Sequence, residues 1–287
     1  MIASPGRDDA GGGLTKQGDV MPRVNLETLL AAGSHFGHLT RRWNPKMREY
    51  IFMERNGIHI IDLKKTQLKI DGAYDSLRKI VEDGEDVLFV GTKKQAKEII
   101  KTEAKRCNMY FITDRWLGGT LTNFGTIKKS IKHMKNLEKM STDGTYEKIT
   151  KKEILHIERE KEKMKKVLDG IEEMKRLPGA VFIVDTKKEQ IAVNEAKKLN
   201  IPIFAIVDTN SDPTIIDYPI PANDDAAKSI SIISRTMADA VAEGLQKVKE
   251  QQAVEEVVKE EEKPETEKPI EEKTPAKKKG KEITEDE

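Results

Sequence analysis

The sequence predicts an α/β fold built on a parallel sheet, with a helical hairpin inserted into it. Four observations carry that expectation. Two stretches are near copies of each other: Val87-Leu88-Phe89-Val90-Gly91-Thr92-Lys93-Lys94, running on to Phe111, Ile112 and Asp114, and Val181-Phe182-Ile183-Val184-Asp185-Thr186-Lys187-Lys188, running on to Val207 and Asp208. The apolar runs in them do not alternate with polar residues, which suits strands buried on both faces. Each pair of runs is joined by a polar helical stretch, and a helix between two such strands is a βαβ crossover, hence a parallel sheet with helices on both sides. Between the two copies lies a long stretch of helical periodicity where a compact crossover would otherwise stand.

The elements follow in chain order. Leu26–Ala32 reads as a short helix ended at Gly33, which can take the left-handed cap conformation. Tyr50–Met53 and Gly57–Ile61 read as strands joined by the Arg55-Asn56-Gly57 turn, since Asn-Gly favours a hairpin. A helix starting at Asp62 or Lys65 runs to Val81, with Leu63, Leu68, Ile70, Ala73, Leu77, Ile80 and Val81 as its apolar face. After the first repeat comes a polar, glycine-containing loop, Thr113–Asn123. Phe124, Ile127, Ile131, Met134 and Leu137 then recur at helical spacing, and Ser141–Thr145 interrupts them. Ile154, Ile157, Met164, Leu168 and Ile171 lie on a seam of roughly 3.5-residue period, as in a coiled coil. Pro178-Gly179 stops that run before the second repeat. Beyond Asp208 a turn-rich loop with Pro213, Pro219 and Pro221 holds a short last strand around Ile220. Asp224 or Asp225 caps a final helix containing Ile230, Ile233, Met237, Ala240, Val241 and Leu245.

These elements divide the chain into a disordered N-terminal extension (1–21), an α/β body (22–122 and 178–246), a helical hairpin insertion (123–177) and a disordered charged tail (247–287). The net charge of +1 conceals an uneven distribution. Residues 247–287 hold 10 Lys against 14 Asp and Glu, whereas 128–176 hold 15 Lys and Arg against 10. The basic excess is therefore local, and the whole-chain balance says little about partners. The single cysteine, Cys107, takes the place of Leu199 in the repeat and reads as a small buried apolar residue. One cysteine allows no internal disulfide, which fits a reducing compartment. No apolar run is long enough to span a bilayer, so a soluble cytoplasmic protein without a membrane partner is expected.

Chemistry is sought first at the two Thr-Lys-Lys sites. Thr92 with Gln95, and Thr186 with Glu189, match capping boxes. The lysines oppose the helix dipole there, at about 0.3–1 kcal/mol for a surface site, so Lys93, Lys94, Lys187 and Lys188 point to an anionic partner. They stand at the C-terminal edge of the sheet, where open α/β folds place ligands. Arg41, Arg42, Lys46 and Arg48 crowd one segment with no interleaved carboxylate and suit phosphate contacts, while Trp43 packs. Arg115 and Asn123 are the polar candidates of the glycine loop, and Lys128, Lys129 and Lys132 those of the hairpin. His35 and His38 have a metal-like spacing but lack further ligands nearby, and no metal or cofactor is expected. Asp208–Asp212 imitates a calcium loop and fails at Pro213 and Pro219, though Asp185, Asp208, Asp224 and Asp225 could still gather around a hard cation. No phosphate-binding glycine motif and no nucleophile elbow is present, so the chain does not read as an enzyme.

Together, His35-Phe36-Gly37-His38, Arg42-Trp43-Asn44-Pro45-Lys46-Met47, Gly57–Leu63, Phe89–Lys94, Arg115–Asn123 and Val207–Pro213 resemble the bacterial form of the small-subunit ribosomal protein two family, over about residues 22–246. The resemblance implies a flavodoxin-like three-layer α/β/α domain with a coiled-coil hairpin. It also implies a structural constituent of the small ribosomal subunit, bound to small-subunit rRNA between head and body, among neighbouring ribosomal proteins. Recruitment of the large OB-repeat ribosomal protein one for translation belongs to the same implication. No homo-oligomer is expected. The other reading of the sheet-edge lysines is a phosphate-ligand-binding α/β enzyme, which the fold class alone favours.

Overall fold

A computed structural model describes residues 22–261, except 142, 144, 145, 147 and 148; for 252–261 it describes the backbone alone. The expectations for 1–21 and 262–287 lie outside the described residues. Contacts divide the chain into two units, Met1–Val248 and Lys249–Glu287, and the first is the body described below.

The chain opens with helix α1 (Leu26–Ala31), capped by Asn25, whose side chain accepts from the Glu27 amide. Strands β1 (Phe36–Leu39), β2 (Ile51–Arg55) and β3 (Ile58–Ile61) form an antiparallel sheet in the order β1-β3-β2. The Asn-Gly turn joins β2 to β3 as the sequence predicts, with Asn56 and Gly57 at φ 53° and 72°. β1 was not anticipated: its alternation is weak, and none of its four residues is buried. Helix α2 (Leu63–Glu82) starts at Asp62, which accepts from the Lys64 amide.

The main sheet is fully parallel. Its strands are β4 (Val87–Val90), β5 (Tyr110–Ile112), β6 (Ala180–Val184), β7 (Ile203–Val207) and β8 (Tyr218–Pro221), in the order β5-β4-β6-β7-β8. The crossovers are α3 (Lys97–Arg106), within the first repeat, and α6 (Gln190–Lys198), within the second. Residues alternate between two cores. Val87, Phe89, Phe182, Val184, Phe204 and Ile206 meet α2, α3 and the last helix, α7 (Ala227–Glu261). Leu88, Val90, Val181, Ile183, Ala205 and Val207 meet α6 and α4 (Phe124–Met140), the helix that follows β5. An aromatic row crosses all five strands: Phe111 is in register with Phe89, Phe89 with Phe182, Phe182 with Phe204, and Phe204 with Tyr218. Phe89 and Phe182 rings lie 5.5 Å apart, and Phe204 stacks on Tyr218 at 4.3 Å. Each fully buried ring contributes on the order of 1.5–3 kcal/mol. This sheet with helices on both faces is the α/β class that the repeat predicts.

Helices α4 and α5 (Lys151–Leu168) form the long section between β5 and β6. Ile127, Ile131, Met134 and Leu137 of α4 are buried; of the predicted second seam Leu168 and Ile171, just beyond α5, are buried, with Ile154, Ile157 and Met164 half-buried. A His133–Glu160 hydrogen bond (3.3 Å) and the Lys165–Glu138 ion pair (3.0 Å) join the two helices. A capping box, Thr150 with Glu153, starts α5.

Four local expectations differ from the structure. Leu68 is 69% exposed, because the buried stripe of α2 runs Thr66, Ile70, Ala73, Tyr74, Leu77, Val81, and Leu68 points away from it. Thr66 instead ties α2 to the sheet, its hydroxyl donating to the Pro221 carbonyl at 2.6 Å. The Thr-Lys-Lys capping boxes do not form: α3 and α6 start later, and neither has a side-chain cap. The last helix is introduced by Asn223, whose Oδ1 accepts from the Asp225 and Ala226 amides, and not by Asp224 or Asp225. Its backbone also continues past Lys247 to Glu261; no proline intervenes between Pro221 and Pro264, so nothing in the covalent chain stops it there. No described helix is long and apolar enough to cross a membrane.

Candidate nucleic-acid interface

The carboxyl ends of four parallel strands converge on one ion cluster. Lys93, after β4, reaches Asp224 at 2.7 Å, Asp225 at 2.6 Å and Asp185 at 3.3 Å. Asp185, after β6, has φ 67°, and its Oδ1 accepts from the Lys188 amide. His38 joins from β1, with Nδ1 3.1 Å from Asp208, after β7, and Nε2 3.5 Å from Asp225. Gly37 makes that approach feasible: a Cβ there would lie 2.6 Å from the Thr209 methyl, and Thr209 Oγ1 accepts from the His38 amide.

Electrostatics follow from the crowding. Burial pushes the Asp224 carboxyl up to about 7; Asp208 and Asp185 push the same way, and Lys93 opposes them. The hydrogen bond to Asp208 raises the His38 pKa against its own burial, with Asp224 and Asp225 adding to the rise. Burial lowers the Lys93 pKa, but Asp224, Asp225 and Asp185 outweigh it and hold the amine protonated. With four carboxylates against Lys93 and His38, this edge repels a phosphate. Ligand atoms of His38, Asp208 and Asp224 lie within 4.8 Å of one another, so those three could hold a divalent cation. The sequence reading gathered the aspartates but left His38 out, because its partners are distant in the chain.

The remaining cations predicted as RNA contacts are dispersed over the surface. Arg41, Arg42 and Arg48 are exposed, and none has a carboxylate partner among the described residues. Their segment is anchored from beneath by buried Met47 and Tyr50; Trp43, expected to pack, is 37% exposed and touches the body through His59, 5.1 Å from its ring. Lys46 is held by Asp212 at 2.7 Å and Thr214 at 3.2 Å. Lys94 and Lys187 are exposed and unpaired among the described residues, whereas Lys188 donates to the Thr92 carbonyl at 3.1 Å. Lys129 and Lys132 are exposed on α4 without partners among the described residues; Lys128 donates to the Lys175 carbonyl and lies 4.7 Å above the Phe124 ring. Arg115 is exposed and unpaired among the described residues, and Asn123 accepts from the Thr126 hydroxyl at 2.9 Å.

Two glutamates organise these surfaces: Glu189, expected as the capping-box partner of Thr186, and Glu195, which the sequence reading gave no role. Glu189 crosses between the repeats, accepting from both the Thr92 amide and the Thr92 hydroxyl. Its burial raises its pKa, with the Thr92 donors opposing. Glu195, on α6, accepts from Trp116 Nε1 at 3.0 Å, from the Gly119, Leu121 and Thr122 amides at 2.7, 3.0 and 3.0 Å, and from the Thr122 hydroxyl at 3.0 Å. Burial pushes this carboxyl upward, but those donors outweigh it and hold the pKa below the usual glutamate value. A buried indole N–H needs an acceptor, and that need at Trp116 was the available clue.

A parallel sheet whose ligand crevice is filled by its own ion pairs, ringed by loops that display unpaired cations, defines a binding scaffold. Comparison with known proteins makes this specific. Residues 29–244 match the family profile of ribosomal protein S2. The chain is 57% identical over 230 residues to the small ribosomal subunit protein uS2 of Cytophaga hutchinsonii, covering 80% of this chain and 91% of that relative. The chain belongs to the ribosomal protein S2 family, structural and non-enzymatic constituents of the small ribosomal subunit.

Proposed function

We propose that this chain anchors to small-subunit rRNA, between head and body, by passive electrostatic binding, and helps recruit the OB-repeat ribosomal protein one. In this reading residues 22–122 and 178–246 form the anchoring domain, and 123–177 form a coiled-coil hairpin inserted into it. The observation that carries the reading is the Arg41–Arg48 segment: three exposed arginines without carboxylate partners among the described residues, on a backbone held by buried Met47 and Tyr50. Such cations gain by releasing counterions from phosphates, which gives a log–log salt slope of roughly −0.7 to −0.9 per phosphate neutralised. Lys129 and Lys132 on α4, with Lys94, Lys187 and Arg115, extend that chemistry over further surfaces. Support for a protein partner comes from a groove of about 580 Å³ lined by Leu30, His35, Phe52 and Leu63, beside exposed Phe36.

The test is competitive rebinding of the full chain to small subunits stripped of this protein, across a salt series. Arg41→Gln/Arg42→Gln/Arg48→Gln is expected to lose the competition and flatten the salt slope by roughly 0.7–0.9 per contact removed. Lys129→Gln/Lys132→Gln is expected to lose less. Wild-type competition and slope in both variants would overturn the reading.

A further inference from the structure

We propose that Glu195 is a positioning residue for RNA binding: it shapes the Arg115–Asn123 loop into a preformed contact element whose cation, Arg115, meets a backbone phosphate. The inference rests on the rRNA-anchoring reading and adds to it the device that presents one of its contacts.

The geometry is asymmetric across the loop. On the inner side one carboxylate, 7% exposed, collects five donors from Trp116, Gly119, Leu121 and Thr122 at 2.7–3.0 Å. Buried Trp116 and Leu121 fix the same side into the core, and Gly119 takes φ 89°, a conformation that side chains resist. On the outer side Arg115, Gly118 and Asn123 are exposed. The residues on both flanks of Arg115 are held through their side chains, Asp114 by Lys97 at 2.7 Å and Trp116 by Glu195 at 3.0 Å. Its guanidinium has no partner among the described residues. A clamped backbone under a free cation lowers the ordering cost of binding. The repeat supplies a comparison: Glu103, at the equivalent position, pairs with Arg106 on its own helix at 2.7 Å. That position therefore does not by itself require a carboxylate to reach a loop.

The test uses the full chain and transcribed small-subunit rRNA, with affinity measured against KCl where circular dichroism finds every variant folded. Arg115→Gln and Glu195→Gln are each expected to flatten the slope by roughly 0.7–0.9, and the double variant by no more than either. A purely structural glutamate would lower the melting temperature and leave the slope unchanged. A wild-type slope in Glu195→Gln beside a flattened one in Arg115→Gln overturns the positioning role and leaves rRNA anchoring standing. A wild-type slope in Arg115→Gln, with Arg41→Gln/Arg42→Gln flattened, removes the loop from the interface and overturns the inference alone. No slope change in any variant overturns the anchoring reading and the inference together. Should Glu195→Gln fail to fold, Trp116→Phe removes one donor and keeps the ring packed. Faster amide exchange at Gly119, Leu121 and Thr122 with a flattened slope supports the proposal, and faster exchange at a wild-type slope overturns it.

Discussion

The two βαβ repeats share a sequence pattern and use it in opposite ways. In the first, Lys93 turns inward and its charge is spent on Asp185, Asp224 and Asp225; in the second, the equivalent Lys187 faces solvent. Thr92 donates to Glu189, whereas the equivalent Thr186 hydroxyl is buried without a partner among the described residues. Cys107 is buried, and its counterpart Leu199 is 36% exposed. The lesson is that a repeated strand–turn–helix specifies the sheet, while neighbours distant in the chain decide what each turn does.

The largest expected effect separates the two lysines. Lys93→Met leaves buried carboxylates without their cation and is expected to cost about 3–5 kcal/mol in urea unfolding. Lys187→Met should change stability by less than about 0.5 kcal/mol. Equal costs would break the contrast.

The next contrast lies between Glu195 and Glu189, on one helix and just before it. Glu195→Gln is expected to cost about 1–3 kcal/mol at neutral pH, because donors lose a buried acceptor. The folded state prefers the Glu195 carboxylate, since its pKa is lowered. Its stabilisation is fully present above the ordinary glutamate value and is lost as pH falls through the lower folded value. The gap between wild type and Glu195→Gln should therefore narrow on acidification. Glu189 has the opposite sign, because its pKa is raised in the folded state. Its charged form is disfavoured once pH rises through that raised value, so Glu189→Gln should gain on wild type as pH increases. Melting curves from pH 3 to pH 8 check both slopes, and parallel behaviour would refute the assignment.

The smallest effect concerns the threonines. Thr92→Val should cost about 1 kcal/mol through the lost hydroxyl bond to Glu189, the amide bond remaining, while Thr186→Val should be neutral or slightly stabilising, since it removes a buried hydroxyl without a partner among the described residues.

The strands and crossovers were legible because apolar runs and helical spacing are local patterns; the aromatic row was not, since Phe89 aligns with Ile183 in the repeat and Phe182 with Leu88, and only the sheet register sets Phe89 beside Phe182. The Arg41–Arg48 cations were legible because four cations fall in eight residues with no carboxylate among them to pair with. The ion cluster was only half legible. Its lysine and aspartates were noticed, but pairing between Lys93 and Asp224, 131 residues apart, is a product of strand order. Glu195 gave no local sign at all, since its donors lie more than 70 residues upstream.

The proline positions of β8 carry a last consequence. The Ala222 amide donates to Val207, so even-numbered amides of this strand face β7 and odd-numbered positions face outward. Both outward positions inside the strand, Pro219 and Pro221, have no N–H to offer, and the Pro221 carbonyl is already taken by Thr66. The β8 margin of the sheet therefore offers an incoming strand no backbone donor. A newly made chain waiting for its place in a particle presents no template there for strand exchange with its siblings, a safeguard written into two imino acids.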